Sequence, residues 1–203
     1  MAETRRHIAA KHRGSTLVEV LVAVLLLSLG LLGMIGLQAS ALQNNREARL
    51  QSSAVRMAAD LSERMRGNRA VAAQPDPATN PYLQANATAA PATASGIDCL
   101  VASCATPLDV ARWDIAEWMQ RVFASDGGLP GARVVVCFDQ TPYDSDGLPQ
   151  WACSGSGDVA QVKLGWTRAS TDRSRTGAAA FDLSTNADSR PAVMLPVAAG
   201  WPS

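Results

Sequence analysis

Gly14-Ser15-Thr16-Leu17-Val18-Glu19 leads into a stretch, Val20 to Leu37, that is apolar almost without a break. At about 1.5 Å per residue, a helix over Leu17 to Leu37 would reach about 30 Å, the thickness of a bilayer's hydrocarbon core. Glu19 stands just inside its start, where an isolated carboxylate costs about 2.5–3.5 kcal/mol on insertion scales. A charge so placed asks for a partner, and no cation lies within the following helical turns. A cut after Gly14 would create one, the new terminal amine of Ser15, with Glu19 then fifth in the shortened chain.

The flank agrees with that cut. Arg5, Arg6, Lys11 and Arg13 stand against Glu3, giving residues 1–14 a side-chain charge of +3. Basic residues beside an apolar span hold their end in the cytoplasm. A secretory signal peptide is cut after its apolar region. Here the glycine precedes that region, so the cut leaves the hydrophobic helix on the mature chain.

Gly14 to Ala23 (GSTLVEVLVA) resembles the class III signal of type IV prepilins and type II secretion pseudopilins: Gly, usually Phe, then Thr-Leu-x-Glu and an apolar stem. This chain departs from the pattern in having Ser15 where Phe is usual. The resemblance implies cleavage between Gly14 and Ser15 by a prepilin peptidase and N-methylation of Ser15. It also implies that Glu19 pairs with a neighbouring subunit's terminal amine during assembly. The implied fold is α+β: a long N-terminal helix, membrane stem then amphipathic half, on a small antiparallel-sheet head with a short extra helix and disulfides.

Beyond the apolar run, Leu50, Ala54, Met57, Ala58, Leu61 and Met65 recur every three or four residues, one apolar face of a helix. Arg46, Arg49, Arg56, Glu63 and Arg66 charge the remaining surface. The stretch lacks the sustained heptads of a coiled coil. One helix is therefore predicted from about Thr16 to Arg66, stopped at Gly67-Asn68 by residues that tolerate a left-handed backbone. Gly30, Gly33 and Gly36 either loosen the stem for assembly or allow close helix contact. The division expected is leader 1–14, membrane stem 15–37, amphipathic stem 38–69 and head 70–203.

Prolines 75, 77, 81 and 91 make residues 70–96 a long surface connection or a loop wrapped on the head. The sequon Asn86-Ala87-Thr88 within it reads as an accident of composition. Leu108 to Ala124 has amphipathic helical spacing and is closed by Gly127-Gly128 and Pro130. Ala132–Phe138 (ARVVVCF), Val159–Thr167 (VAQVKLGWT) and Ala192–Val197 are strand candidates, the last limited to a sheet edge by Pro191 and Pro196. Residues 168–190 read as a loop. The five tryptophans, at 113, 118, 151, 166 and 201, read as core or edge residues of one small domain, with Trp201 exposed near the end.

Cys99, Cys104, Cys137 and Cys153 all lie beyond the stem, on the periplasmic side of the membrane in this orientation, where disulfides persist. Three pairings are open, and proximity in sequence favours Cys99–Cys104 with Cys137–Cys153. A zinc site fits less well, because the spacing matches no common finger and no histidine is near. Catalysis lacks its parts. The only histidines, His7 and His12, belong to the leader, so no mature Ser-His-Asp or Cys-His arrangement is available. No phosphate loop is present, and no cofactor or metal is called for. Asp144-Ser145-Asp146-Gly147 begins like a calcium loop but lacks the later bidentate glutamate, so it reads as a turn.

Without the leader, 14 Lys and Arg face 17 Asp and Glu, a side-chain charge of −3 that gives no footprint for nucleic-acid binding. Leu27 to Gly33 (LSLGLLG), Leu61 to Arg69 (LSERMRGNR) and Trp118 ahead of Gly131 resemble PilV-type minor pilins, loosely as far as residue 167. That resemblance implies a subunit that starts or tips a pilus, with the major pilin, other minor pilins and an adhesin-like tip protein as partners. It would stand in the inner membrane with its head in the periplasm, and on the cell surface once assembled. A type II secretion pseudopilin and a DNA-binding minor pilin are the alternatives, the latter resting on Arg168, Arg173 and Arg175.

Overall fold

The first helix, α1 (Leu17–Gly67), is 51 residues long. The computed structural model describes residues 16–91, 98–172 and 174–198. The chain divides into two units, Met1–Arg46 and Glu47–Ser203. In the first unit the side chains from Leu17 to Leu37 are exposed, and the helix is long and apolar enough to cross a membrane. A Cβ added at Gly30, Gly33 or Gly36 meets nothing within 4 Å. Among the described residues, no contact inside the subunit therefore requires glycine there.

In the second unit, Ala54, Ala58, Leu61 and Met65 form the buried stripe of α1, with Leu50 and Met57 half-buried beside it. The helix stops at the expected place by a different means. Asn68 has φ −122° rather than a left-handed backbone. It caps a four-residue helix, α2 (Arg69–Ala72), and its side-chain amide donates to the Pro107 carbonyl at 2.6 Å.

The region read as a proline-rich connection is more ordered than its composition suggests. Asn80, fully buried, donates to the carbonyls of Ala72 and Gln74 at 3.0 and 2.8 Å and accepts from the Tyr82 amide. That turn delivers β1 (Gln84–Ala87), whose QANA sequence has no apolar alternation, to the side of a sheet.

Helix α3 (Pro107–Val122) follows the amphipathic reading. Thr106 caps it by accepting from the Asp109 amide at 3.1 Å, and Pro107 occupies the first turn, where a missing N–H is harmless. After its end, Gly127 takes φ +85°, and the Leu129 amide returns to the Val122 carbonyl at 2.8 Å.

Strands β2 (Arg133–Phe138), β3 (Val159–Gly165) and β6 (Val193–Ala198) join β1 in an antiparallel sheet of order β1-β2-β3-β6. As Pro191 and Pro196 suggested, β6 is terminal in that order. The stretch 168–190, read as a loop, holds a small hairpin of β4 (Arg168–Ala169) and β5 (Phe181–Asp182), with a 3-10 turn at Gly177–Ala180. Val134, Val136, Phe138, Ala160, Val162 and Leu164 join the α1 stripe, Trp118 and Met119 in one core.

The other face of β2 and β3 is also covered: Val135, Gln161 and Lys163 are buried. The polar positions of β3 therefore face protein rather than water. Trp118 and Trp166 are core residues, Trp113 and Trp151 are half-buried, and Trp201 lies outside the described residues.

Candidate functional site

Thr16 sets the local frame of Glu19. The Glu19 amide donates to the Thr16 carbonyl at 2.9 Å and to its hydroxyl at 3.3 Å, so Thr16 caps α1. Thr-x-x-Glu is the sequence of a capping box, and a carboxylate in the first turn is favoured by the helix dipole. Sequence reasoning singled out Glu19 but missed this pattern, which was visible in the spacing. Among the described residues no cation lies within ion-pair distance of the Glu19 carboxylate, which is exposed. The cap explains how a helix begins at this glutamate. It supplies no counter-charge. Gly14 and Ser15, the expected cleavage and methylation positions, lie outside the described residues.

In the second unit a charged cluster fastens α3 to α1. Arg64 lies 3.3 Å from Asp60, 3.1 Å from Asp114 and 2.7 Å from Glu117. Arg121 joins Asp60 and, at 3.0 Å, Glu117. The buried Oε2 of Glu117 has the Arg64 guanidinium, at 2.7 Å, as its partner. Burial lowers the Arg64 pKa, but the attraction of Asp60, Glu117 and Asp114 outweighs it and the net shift is upward. Tyr82 donates to Asp114 at 2.8 Å, and burial followed by that bond raises its phenol. Trp118 adds an uncharged tie, donating to the Met57 carbonyl.

The four cysteines form two bonds, Cys99–Cys104 and Cys137–Cys153, with Cα separations of 5.2 and 6.3 Å. The first closes a turn that leaves Leu100 and Val101 82% and 84% exposed, an apolar tip that sequence reasoning passed over. The second lies beside Asp139, but the two sulfurs are bonded to each other and the carboxylate holds Lys163 at 2.6 Å. Those groups are engaged with one another rather than open to a metal ion.

Asp144 also has partners within the protein. One oxygen accepts from the Asp146 and Leu148 amides, and the other from Arg190 at 2.6 Å. The Leu148 amide and then Arg190 hold its carboxyl below the usual range. The acidic stretch is a turn built on hydrogen bonds. In the small hairpin, Arg175 lies 3.2 Å from Asp182 and 3.6 Å from Asp172, while Arg173 lies outside the described residues.

Residues 9–35 match the family model of the prokaryotic N-terminal methylation motif. Residues 36–116 match the Tt1218-like model, described as type IV pilin Tt1218. The first match takes in Gly14, Ser15 and Glu19; the second runs from the end of the apolar run into α3. Strands β2, β3 and β6, with Cys137 and Cys153, lie beyond both matches. No curated protein and no solved structure matches the chain. The long apolar helix, small antiparallel sheet, short helix and two disulfides are those of a type IV pilin fold. The chain thus carries a match to the prokaryotic N-terminal methylation motif followed directly by a segment that matches the Tt1218-like type IV pilin model.

Proposed function

We propose that this chain is a structural minor pilin of the PilV type, one of the subunits that start or tip a type IV pilus. A prepilin peptidase removes residues 1–14 and Ser15 is N-methylated. The stem then holds the subunit in the inner membrane with its head in the periplasm. From there it joins the other minor pilins, an adhesin-like tip protein and the major pilin.

The observation that carries this reading is the methylation-motif match over residues 9–35, which runs into a helix whose side chains from Leu17 to Leu37 are exposed in the single subunit. That surface must be covered by lipid or by other stems. Glu19 enters such a bundle at low cost only if a cation meets it. The amine of a neighbouring subunit supplies that charge and sets the axial stagger. The ion pairs of Arg175 with Asp182 and Asp172 leave its charge matched locally, which favours a solvated loop over a DNA-binding one.

The test is deletion of the gene in its source organism, with surface pili and type II secretion measured in the same cells. Loss of pili with secretion intact is the expected outcome. Normal pili with failed secretion would assign the chain to the pseudopilins instead.

A further inference from the structure

Among the described residues, Lys163 and Asp139 are the most deeply buried oppositely charged pair of the head, each side chain 0% exposed. Their surroundings are unusual in one respect: of the backbone groups they bond, two directly flank Cys153 and the others lie three or four residues from a cysteine. Lys163 Nζ donates to Asp139 Oδ2 at 2.6 Å, to the Gln150 carbonyl at 2.8 Å and to the Ala152 carbonyl at 2.7 Å. All three ammonium protons are thereby used. Asp139 Oδ1 accepts from the Thr141 amide at 2.9 Å and the Ser154 amide at 3.2 Å. Asp139 lies two residues after Cys137. Ala152 and Ser154 flank Cys153 directly.

We propose that this pair is a template for oxidation: it lays the segment 150–154 against β2 and presents Cys153 to Cys137 before the two are joined. The ammonium comes from the middle of β3, whose register against β2 (Lys163 opposite Val135, Gln161 opposite Cys137) is fixed by the strand ladder and needs no disulfide. Once β2 and β3 pair, the ammonium stands on the sheet face that segment 150–154 comes to cover, and covering it is heavily penalised unless the segment supplies acceptors. The carbonyls of residues 150 and 152 are the acceptors within reach. Satisfying it brings the chain around Cys153 onto the strand that carries Cys137. The sulfurs are therefore close because of the lysine, and the disulfide records that arrangement rather than creating it.

Oxidation itself needs an acceptor of two electrons, here a disulfide R–S–S–R. One cysteine thiolate attacks it and releases RS⁻. The second thiolate then breaks the mixed disulfide, forming Cys137–Cys153 and releasing the other RS⁻, with the two thiol protons passing to solvent or to RS⁻. The template acts on the second step, where the concentration of one sulfur near the other decides between this pairing and the two competing ones.

The test uses the full-length chain in detergent, equilibrated with oxidised and reduced glutathione. The exchange constant is read separately for each cysteine pair by mass mapping. Lys163→Met should lower the constant for Cys137–Cys153 by about tenfold or more, and leave Cys99–Cys104, in a turn of its own, unchanged. Equal constants in wild type and Lys163→Met would overturn the proposal. A second variant needs no lysine change: Cys137→Ser with Cys153→Ser. Here the Thr141 and Ser154 amides should still resist hydrogen exchange, because Asp139 still holds them. Free exchange of those amides would show that the disulfide builds the loop, and would overturn the proposal even if Lys163→Met fails to fold.

Discussion

The indole nitrogen of Trp118, on α3, donates to the main-chain carbonyl of Met57, on α1, at 2.8 Å and across 61 residues of sequence. A side chain that reaches a helix carbonyl fixes the rotation and height of one helix on the other. Apolar stripes alone would allow slippage. Trp118 is also fully buried, so one residue supplies both packing and register.

Two substitutions separate those contributions. Trp118→Phe keeps most of the apolar volume and loses the hydrogen bond, so it should destabilise the head by about 1 kcal/mol. Trp118→Ala also opens a cavity and should cost about 3–5 kcal/mol. Urea unfolding of the full chain in detergent, followed by fluorescence of the remaining tryptophans, measures both. Equal losses would mean that volume contributes nothing beyond the hydrogen bond.

The long elements were legible because each shows a period. The stripe Ala54, Ala58, Leu61 and Met65 announced the amphipathic half of α1, and ARVVVCF announced β2. The missed pieces lack a local signal. QANA becomes β1 only because Asn80 and Tyr82 turn the chain toward β2, and nothing in four small or polar residues shows that. Lys163 stands at a polar position of VAQVKLGWT; its burial depends on Asp139, 24 residues earlier, and on a loop folded over the sheet. The clamp around Arg64 spans 50 residues to Asp114 and was equally invisible. Of the candidate site, Glu19 and the cysteines stood out by type and setting. The Thr16 cap was present as Thr-x-x-Glu spacing.

Acid should weaken the head through Asp139. Burial alone would raise its carboxyl pKa, but hydrogen bonds from Lys163 and the Ser154 and Thr141 amides outweigh burial and hold it low. A carboxyl lowered in the folded state stabilises fully above its unfolded value of about 3.9, and this stabilisation is lost as pH falls through the lower folded value. Denaturant midpoints measured from about pH 6 to about pH 2.5 should therefore fall in the acid range. Asp139→Asn should remove that part of the acid dependence. It should also cost about 3–5 kcal/mol at neutral pH by leaving Lys163 uncompensated. An Asp139→Asn variant as stable as wild type at neutral pH would show that the pair is not a net support.

Maturation should depend on Gly14. A peptidase that accepts glycine there must fit a backbone without a side chain beside it, so Gly14→Arg should leave the leader attached. Intact-mass measurement of membrane-extracted protein should show the wild type shortened by 14 residues and carrying one added methyl group on Ser15, and the variant at full length. Wild-type protein that retains residues 1–14 would contradict the assignment of the signal.

Glu19 carries the central claim, that this subunit enters a filament by pairing a stem carboxylate with a neighbour's terminal amine. Among the described residues of the subunit, Glu19 meets the dipole and the Thr16 cap at its own end of α1, the dipole worth about 0.3–1 kcal/mol. The proposed pairing assigns its larger effect to contacts between subunits. The decisive measurement expresses Glu19→Val as the only copy and quantifies processed subunit in membranes and in sheared surface fractions. The account predicts normal processing in the membrane, with the variant lost from the sheared fraction and surface pili reduced. Wild-type levels of the processed variant in sheared pili, with normal piliation, would contradict it.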